Sequence, residues 1–368
     1  MYVYKKKRYI CFFAIIDTIG KILFFPFRVF GYKKRERYNN ILVIRTDHIG
    51  DVIGSTCVLD PLKKAFPEAN IDFMVPSPMK ESLENNSNID NVISFDASWF
   101  VKRGAAGYLS QIKDLFRLIK TIRERDYDLG IDLRGDFRQI VALFFAKVNR
   151  RISYGITGGG FLLTDCVSYE NELNERRLNL RLLEPLGVKE QKAQPEIFIG
   201  DKGKSEAVRL LNKIGVNDKY AVIHPFPGHV SKMWDLNYFS EIMGYIYEKY
   251  NLTSIIVGSR DDKDGTERII KNTDSKVAGL SGEMTIEGLA GVISGASLFF
   301  GVDSGPAHIS AALGVPTTIL FSGMNDPEKW APQGENVRII FPDAEKEISD
   351  MKVEDVYIMI DRMLEKKL

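Results

Sequence analysis

The sequence predicts an α/β protein with two parallel sheets, one in each half of the chain. From residue 41 onward, short apolar runs rich in β-branched residues alternate with glycine-containing turns and helical stretches, as in buried parallel strands joined by helices. This alternation is interrupted between residues 172 and 218 and then begins afresh. The chain, at 368 residues, also exceeds the size of about 250 to 300 residues at which a single core stops growing.

The first half carries four predicted strands, which are ILVIR (41–45), IDFMV (71–75), VISF (92–95) and LGIDL (129–133). The predicted helical stretches around them are 52–65, 109–125 and 137–148. Because each strand is short and almost continuously apolar, we expect a parallel sheet that is buried on both faces.

The second half repeats this organisation after a connecting segment. The connecting segment predicts a helix over 176–186, an extended stretch PEIFI and a helix over 203–214. The strands predicted after it are YAVIHP, TSIIVG, KVAG, SLFFG, PTTILF and VRIIF. The amphipathic stretch 352–366 either completes the second unit or crosses back to the first. We therefore divide the chain into an N-terminal segment (1–38), a first α/β domain (39–185), a second (186–350) and a C-terminal helix (351–368).

Residues 1–38 differ from the rest of the chain. An apolar stretch from Tyr9 to Phe30 lies between the basic sequences MYVYKKKRY and GYKKRER. Asp17 and Lys21 interrupt the stretch, and each such charge at the centre of a spanning helix costs roughly 2.5 to 3.5 kcal/mol. An interfacial helix whose basic flanks meet anionic lipid is therefore favoured over a membrane span, and a helix packed on the protein's own body is the third interpretation.

Composition excludes several classes of protein. Lys and Arg total 50 and Asp and Glu total 49, so no nucleic-acid partner is expected. Cys11, Cys57 and Cys166 are too few and too scattered for a disulfide framework, which predicts a reducing compartment. Together with the N-terminal segment, this predicts a cytoplasmic protein that lies peripherally at the inner face of the cytoplasmic membrane.

The first candidate site segment is IRTDHIGD (44–51), which follows the first strand and precedes a helix. Ligands of open α/β sheets collect at the carboxyl ends of strands, so chemistry is expected here. Asp51 lies at the helix start, where backbone N–H groups favour an ionised carboxylate that could remove a proton from an alcohol. The alternative is that Asp51 only caps the helix.

The second segment is IHPFPGHVSKMWDLNYF (223–239), after the first strand of the second half. His224 opens a loop in which Ser231 and Lys232 can meet an anion. A positioned ammonium stabilises the charge that a departing diphosphate develops in the transition state. The alternative is that Lys232 is an ordinary solvated lysine, and Trp234 is expected to pack rather than to stack on a base.

The third segment is FFGVDSGPAHISAALGVPTTILF (299–321). A strand ends in a loop with Asp303, Ser304 and Gly305, and Pro306 suits the first turn of the following helix. Such a helix start presents N–H groups and a positive dipole end to a phosphate. His308 either adds a donor to a phosphate oxygen or is a buried histidine bonded to a carbonyl group.

Other chemistries lack their motifs. No G-x-G-x-x-G follows the first strand and no G-x-x-x-x-G-K-[ST] is present, which disfavours a nicotinamide dehydrogenase and a P-loop kinase. Asp261 follows the strand TSIIVG, a position at which a carboxylate commonly accepts hydrogen bonds from ribose hydroxyls. The four histidines show no ligand spacing, so we expect neither a metal ion nor another cofactor.

Taken together, these segments resemble glycosyltransferase family 9, the family of bacterial ADP-heptose:lipopolysaccharide heptosyltransferases. The resemblance runs in order over about residues 41–340, through the three site segments and through DLRGDFRQ, RRISYG and DPEKWAP. Ordered matching of this kind is far more specific than any single motif.

The resemblance implies a GT-B fold of two facing Rossmann-like domains, with the acceptor bound by the first and the donor nucleotide mainly by the second. It also implies metal-independent, inverting transfer from a nucleoside-diphosphate sugar. By motif position, Asp51 resembles the catalytic base, Lys232 the pyrophosphate-binding lysine and Asp261 the acidic residue at the ribose. The donor phosphate and sugar loop corresponds to Asp303, Ser304, Gly305 and His308.

The sequence departs from the family pattern at several positions, and none of the departures removes a catalytic group. Phe226 and Pro227 replace a smaller turn, Asp235 stands where proline often follows the tryptophan, and Cys57 and Ser322 replace a frequent proline and glycine. Because the altered turn could line the donor pocket, the donor stays open.

The function expected from the resemblance is transfer of a heptose or a related sugar, with ADP-heptose as the first candidate donor, to a lipopolysaccharide core or another surface glycan. The expected partners are a nucleotide-sugar, a glycolipid or glycan acceptor and an anionic membrane surface met by residues 1–38. Two alternatives stay open, a non-catalytic module that binds nucleotide-sugars and a nucleotide-sugar epimerase or hydrolase of similar fold. Release of free sugar without an acceptor would favour a hydrolase.

Overall fold

The computed structural model describes residues 7–30, 37–100, 107–323, 325–342 and 347–365. The chain folds as two compact units, residues 1–195 and 196–368. Each unit is an α/β unit with one six-stranded sheet whose neighbouring strands all pair in parallel, which confirms the predicted fold class.

The first unit orders its strands β3-β2-β1-β4-β5-β6. The strands are β1 (Asn40–Ile44), β2 (Asn70–Val75), β3 (Asn91–Ser94), β4 (Leu129–Asp132), β5 (Arg150–Ser153) and β6 (Asp165–Cys166). The helices are α1 (Lys7–Phe30), α2 (Ile49–Ser55), α3 (Leu59–Ala65), α4 (Lys80–Leu83), α5 (Tyr108–Arg123), α6 (Phe137–Phe145) and α7 (Glu175–Arg181).

The second unit orders its strands β12-β11-β10-β7-β8-β9. The strands are β7 (Tyr220–His224), β8 (Thr253–Ile256), β9 (Val277–Gly279), β10 (Leu298–Val302), β11 (Thr317–Leu320) and β12 (Val337–Ile340). The helices are α8 (Asp201–Lys213), α9 (Leu236–Tyr250), α10 (Lys263–Lys271), α11 (Ile286–Ser294), α12 (Gly305–Ala312), α13 (Pro327–Trp330) and α14 (Val353–Leu364). The predicted C-terminal helix is α14, and it packs against α9, β11 and β12 of this same unit.

The strand β5 was missed because its sequence does not look like a buried strand. It begins with two arginines, yet Arg150 is buried. Its guanidinium donates to the Asp165 carboxylate at 2.9 Å, to the Tyr38 hydroxyl at 2.8 Å and to the Pro185 carbonyl at 2.7 Å. These partners lie far away in sequence, so the charge is satisfied only in the folded chain.

The N-terminal helix α1 packs along one side on the first unit. The ring of Phe13 meets that of Phe137 with centroids 5.1 Å apart. Asp17 is buried and accepts a hydrogen bond from the N–H of Gly159 at 2.8 Å. The φ of Gly159 is 81°, a left-handed conformation that favours glycine and aims this N–H at the helix. Asp17, which disfavours a membrane span, therefore helps to fix α1 to its own unit.

The other side of α1 is apolar and exposed. Five large apolar side chains on this side are 52% to 70% exposed: Phe12, Ile15, Ile19, Ile22 and Leu23. Among the residues that the structure describes, no helix is both long enough and apolar enough to cross a membrane. The basic sequences on either side of α1 lie mostly outside the described residues.

Both sheets have a topological switch point, where strand order reverses along the chain. It lies between β1 and β4 in the first unit and between β7 and β10 in the second. In such sheets the crevice at the carboxyl ends of these strands receives ligands. Gly301 permits close approach at the second switch point, since a Cβ there would lie 2.5 Å from the His224 carbonyl oxygen.

Candidate functional site

In the first unit, the loop after β1 places Asp51 in the first turn of α2. The N-cap of α2 is His48, whose side chain makes no capping hydrogen bond. No backbone N–H of the described residues donates to the Asp51 carboxylate. The hydrogen bonds from backbone N–H groups that were expected at this carboxylate, either as a helix cap or to favour its ionised form, are therefore not made by the described residues. Another group holds this side chain.

That group is Arg45, a buried arginine at the end of β1. Its Nη2 lies 3.1 Å from Oδ1 of Asp51, its Nε donates to Oδ1 of Asp47 at 2.8 Å, and its Nη1 lies 3.6 Å from Oε2 of Glu175. The Asp51 side chain is 19% exposed, whereas that of Arg45 is 4% exposed. One guanidinium thus arranges three carboxylates, and the carboxylate of Asp51 is partly open to solvent.

The charges around Arg45 reinforce one another. Burial alone would lower the pKa of Arg45, but the carboxylates of Asp47, Asp51 and Glu175 outweigh burial and raise it above its usual value. Burial would raise the pKa of Asp47, but Arg45 and Arg134 hold that pKa below its usual value. Arg45 and Asp47 therefore both carry their charges at neutral pH, and the geometry of the network depends on arginine's several donors.

The loop after β4 supplies Arg134 to this network, and Asp132 shapes the loop. The buried Asp132 carboxylate accepts hydrogen bonds from the N–H groups of Arg134 and Asp136 at 3.0 Å each and from the Ser153 hydroxyl at 2.8 Å. Burial, together with the nearby Asp136, raises the pKa of Asp132 to about 7. Arg134 in turn donates to Oδ2 of Asp47.

Sequence reasoning missed Arg45, Arg134 and Glu175. Arg45 lies inside the quoted motif, so a buried arginine beside two aspartates could have been noticed there. Glu175 comes from the first turn of α7, which packs on α2. A contact over such a sequence distance carries no local signal.

In the second unit, the loop after β7 brings Lys232 to the loop after β10. Nζ of Lys232 donates to Oδ2 of Asp303 at 2.5 Å, and Nδ2 of Asn325 donates to the same oxygen at 2.9 Å. The side chains of Lys232 and Asp303 are 20% and 9% exposed. Lys232 is therefore held by a largely buried carboxylate, unlike the ordinary solvated lysine of the alternative interpretation. Asn325 was not predicted from the sequence.

The helix α12 begins beside this ion pair. Ser304 is its N-cap, with the hydroxyl donating to the Val302 carbonyl at 3.0 Å, and Gly305 and Pro306 form its first turn. His308 is partly buried in the same turn. The positive end of the helix dipole and the Lys232 ammonium thus lie at the carboxyl end of the same sheet, an arrangement that suits a phosphate.

The other predicted residues of this loop differ in exposure. His224 is buried, and its Nδ1 lies 2.9 Å from the Val257 carbonyl oxygen, which can only accept a hydrogen bond. Burial lowers the pKa of His224, so the ring is neutral and Nδ1 carries its hydrogen. Ser231 is exposed, and its hydroxyl lies 2.7 Å from Nδ1 of His229. Trp234 is 1% exposed, which confirms that it packs.

Asp261 and Asp262, which follow β8, have different surroundings. Asp262 forms a capping box with Ser259, whose N–H and hydroxyl donate to it at 2.7 and 2.6 Å. Asp261 stays exposed beside it.

Phe226, which replaces a smaller turn residue, is buried next to Gly258 and Gly265, where it fills space that a side chain would otherwise occupy. Phe226 therefore belongs to the core beneath the loop.

Within the described ranges, no group of three or more His, Cys, Asp or Glu side chains is arranged to hold a metal ion.

A family model and sequence relatives point to one family. A family model described as glycosyltransferase family 9 (heptosyltransferase) matches residues 115–358. The chain is 30% identical over 297 residues to lipopolysaccharide heptosyltransferase 3 of Escherichia coli strain K12, covering 78% of this chain and 83% of that protein.

Solved structures show the same fold. A glycosyl transferase family 9 structure from Veillonella parvula matches with a TM-score of 0.80 and 20% identity, over 90% of this chain and 99% of that chain. The structure of E. coli ADP-heptose lps heptosyltransferase II matches with a TM-score of 0.73 and 19% identity, over 89% and 99% of the two chains. The GT-B fold class implied by the resemblance is thereby confirmed.

Proposed function

Because the chain belongs to glycosyltransferase family 9, the heptosyltransferase family, we propose that it transfers a heptose from ADP-heptose to a lipopolysaccharide core. In this proposal the transfer inverts the anomeric carbon and needs no metal ion. The donor is supported by the description of a structural relative as an ADP-heptose lps heptosyltransferase. The enzyme is a glycosyltransferase whose relatives are lipopolysaccharide heptosyltransferases.

One observation carries the proposal. In each unit, the segment that follows the first strand carries a charged side chain held by an ion pair: Asp51, in the first turn of α2, pairs with Arg45, and Lys232 pairs with Asp303. An anionic base and a cationic group for a leaving diphosphate are the two charges that an inverting transfer without metal requires.

The first step assigned to the chain's own residues is proton removal. The Asp51 carboxylate accepts the proton of an acceptor hydroxyl, and the oxygen attacks the anomeric carbon from the face opposite the diphosphate. Arg45 acts as a positioning residue, since it holds Oδ1 of Asp51 and leaves the carboxylate partly exposed. The acceptor is assigned to the first unit for this reason.

The second role is stabilisation of the leaving group. As the bond to the sugar breaks, negative charge grows on the diphosphate, and the Lys232 ammonium and the N-terminus of α12 stabilise that charge. Asp303 and Asn325 position Lys232 rather than meeting the anion. Ser304, Gly305 and His308 would contact the phosphate and the sugar. Asp261 would accept hydrogen bonds from the ribose hydroxyls. His224, buried and neutral, would shape the loop, with Ser231 at its exposed rim.

The test is a donor and acceptor screen with a product analysis. Purified protein is incubated with ADP-, GDP- and UDP-sugars and a lipopolysaccharide core acceptor in the presence of EDTA, while nucleotide release is followed. We expect acceptor-dependent release with ADP-heptose and an inverted glycosidic product by NMR. Equal release without acceptor would indicate a hydrolase, an altered sugar in the nucleotide form would indicate an epimerase, and binding without turnover would indicate a binding module.

Arg45→Lys tests the positioning role. Lysine keeps the charge but lacks the fork of donors that bridges Asp47, Asp51 and Glu175. We expect kcat to fall about tenfold, a loss of about 1.4 kcal/mol of transition-state stabilisation, while the KM for donor is unchanged. Arg150→Lys is the matched control, because Arg150 is a buried arginine of the same unit that pairs with Asp165 at 2.9 Å. Equal kinetic losses in both variants would contradict a specific role for Arg45.

We also propose that α1 rests on the cytoplasmic membrane, where a lipid-linked acceptor would be met. The support is its exposed apolar side, together with the basic sequences that flank the helix. Such a helix lies in the headgroup region rather than spanning the bilayer.

The triple variant Ile15→Gln, Ile19→Gln, Ile22→Gln tests this contact. These side chains are 60%, 52% and 70% exposed, so the fold should tolerate the changes. We expect at least about a tenfold loss of partitioning to anionic vesicles, with an unchanged unfolding temperature. Unchanged vesicle binding would overturn the anchor.

A further inference from the structure

A second exposed apolar face lies on α5. Leu109, Ile112 and Phe116 are 75%, 51% and 68% exposed, and their spacing of three and four residues puts them on one side of the helix. The opposite side is buried, with Leu118 and Ile122 in the core of the first unit. The helix therefore has its own core contact and still leaves large apolar side chains in solvent.

The exposed side of α5 is also basic. Lys113, Lys120 and Arg123 recur on the same side at helical spacing and are all exposed. Asp114 is turned away and accepts a hydrogen bond from the backbone N–H of Ser98 at 2.9 Å. Glu124, just past the end of the helix, pairs with Lys120 at 3.8 Å.

α5 and α1 both lie beside α6. α5 packs on α6, and α6 begins at Phe137, whose ring contacts Phe13 of α1. Near the other end of α6, Phe145 is 56% exposed. α1 and α5 thus each expose several large apolar side chains and α6, which lies beside both, exposes one, whereas exposed hydrophobic residues on soluble proteins are usually scattered singly.

We propose that the exposed face of α5, formed by Leu109, Ile112 and Phe116 with their basic neighbours, is a second contact with a bilayer that contains anionic lipid. An apolar patch beside lysines and an arginine is complementary to acyl chains beneath anionic headgroups. A contact along α1 alone lets the first unit rock about the helix axis, and a second contact restricts that rocking. The inference rests on the proposed action at a membrane-bound acceptor.

The test is co-sedimentation of the full-length protein with vesicles of phosphatidylcholine and phosphatidylglycerol, and with vesicles of phosphatidylcholine alone. The variants are Leu109→Gln/Ile112→Gln/Phe116→Gln and Lys113→Glu/Lys120→Glu. Matched controls are Val208→Gln and Ile358→Gln, at helix positions of the second unit that are 58% and 50% exposed. We expect about tenfold weaker binding to the anionic vesicles for both α5 variants and no change for the controls. Turnover of a soluble acceptor fragment and the unfolding temperature should stay as in the parent protein.

Unchanged binding of both α5 variants would overturn the inference, and it would leave the α1 contact standing if the α1 variant still loses binding. A change of oligomeric state in the α5 variants would also overturn it, because the face would then join two copies of the chain. Failure of the transferase proposal is read separately, since turnover of the soluble acceptor fragment does not depend on vesicles.

Discussion

Replacing Asp51 with Asn is expected to lower acceptor-dependent nucleotide release by about 10²- to 10⁴-fold, the range that general acid–base catalysis contributes. Asparagine keeps the size of the side chain and an oxygen that can face Arg45, which lies 3.1 Å from Oδ1 in the parent protein. It cannot accept a proton from an alcohol, so the loss should be in kcat with little change in donor binding. The measurement is steady-state release of nucleotide at saturating donor, with and without acceptor.

The matched control is Asp60→Asn. Asp60 also lies in the first turn of a helix of the first unit, but it pairs with Lys64 at 2.8 Å on the surface. This variant should retain the parent rate. If Asp51→Asn turns over normally, the base has been misassigned, and Glu175 becomes the next carboxylate to test because it shares Arg45.

Much of the fold could be predicted from the sequence, because parallel strands buried on both faces consist of short, almost continuously apolar runs. Ten of the twelve strands were predicted, the exceptions being β5 and β6. Both depend on a charge that is satisfied by tertiary contacts, since Arg150 of β5 pairs with Asp165 of β6. Local sequence patterns report burial only when the buried atoms are apolar.

The candidate site was predictable in its parts but not in its ion pairs. Strand-end loops identified Asp51, Lys232 and Asp303 as candidates, because the carboxyl ends of parallel strands share one edge. The contact of Lys232 with Asp303 joins two loops, and Asn325 comes from a third. Such contacts depend on the order of the strands in the sheet, and local patterns in a single sequence do not show that order. The same limit applies to Asp17, whose partner Gly159 lies in a distant loop.

Replacing Lys232 with Met is expected to lower kcat by about 10²- to 10³-fold, as for removal of a group that stabilises developing charge. Methionine keeps most of the side chain's length and apolar stem while removing the ammonium. The diphosphate gains negative charge mainly in the transition state, so kcat should fall more than KM rises. Asp303 keeps its hydrogen bond from Asn325 at 2.9 Å, which limits the cost of leaving this carboxylate without a cation.

A lysine of the same unit provides the comparison, because Lys213 also pairs with a carboxylate, that of Glu283. Lys213→Met should leave kcat unchanged, which separates loss of a surface ion pair from loss of the leaving-group cation. Asp303→Asn should lie between the two, since Lys232 keeps its charge but loses the carboxylate that positions it. A Lys232→Met enzyme with normal kcat and a raised KM would mean that the ammonium binds the donor equally in the ground and transition states. The stabilisation of the leaving group would then have to come from the N-terminus of α12.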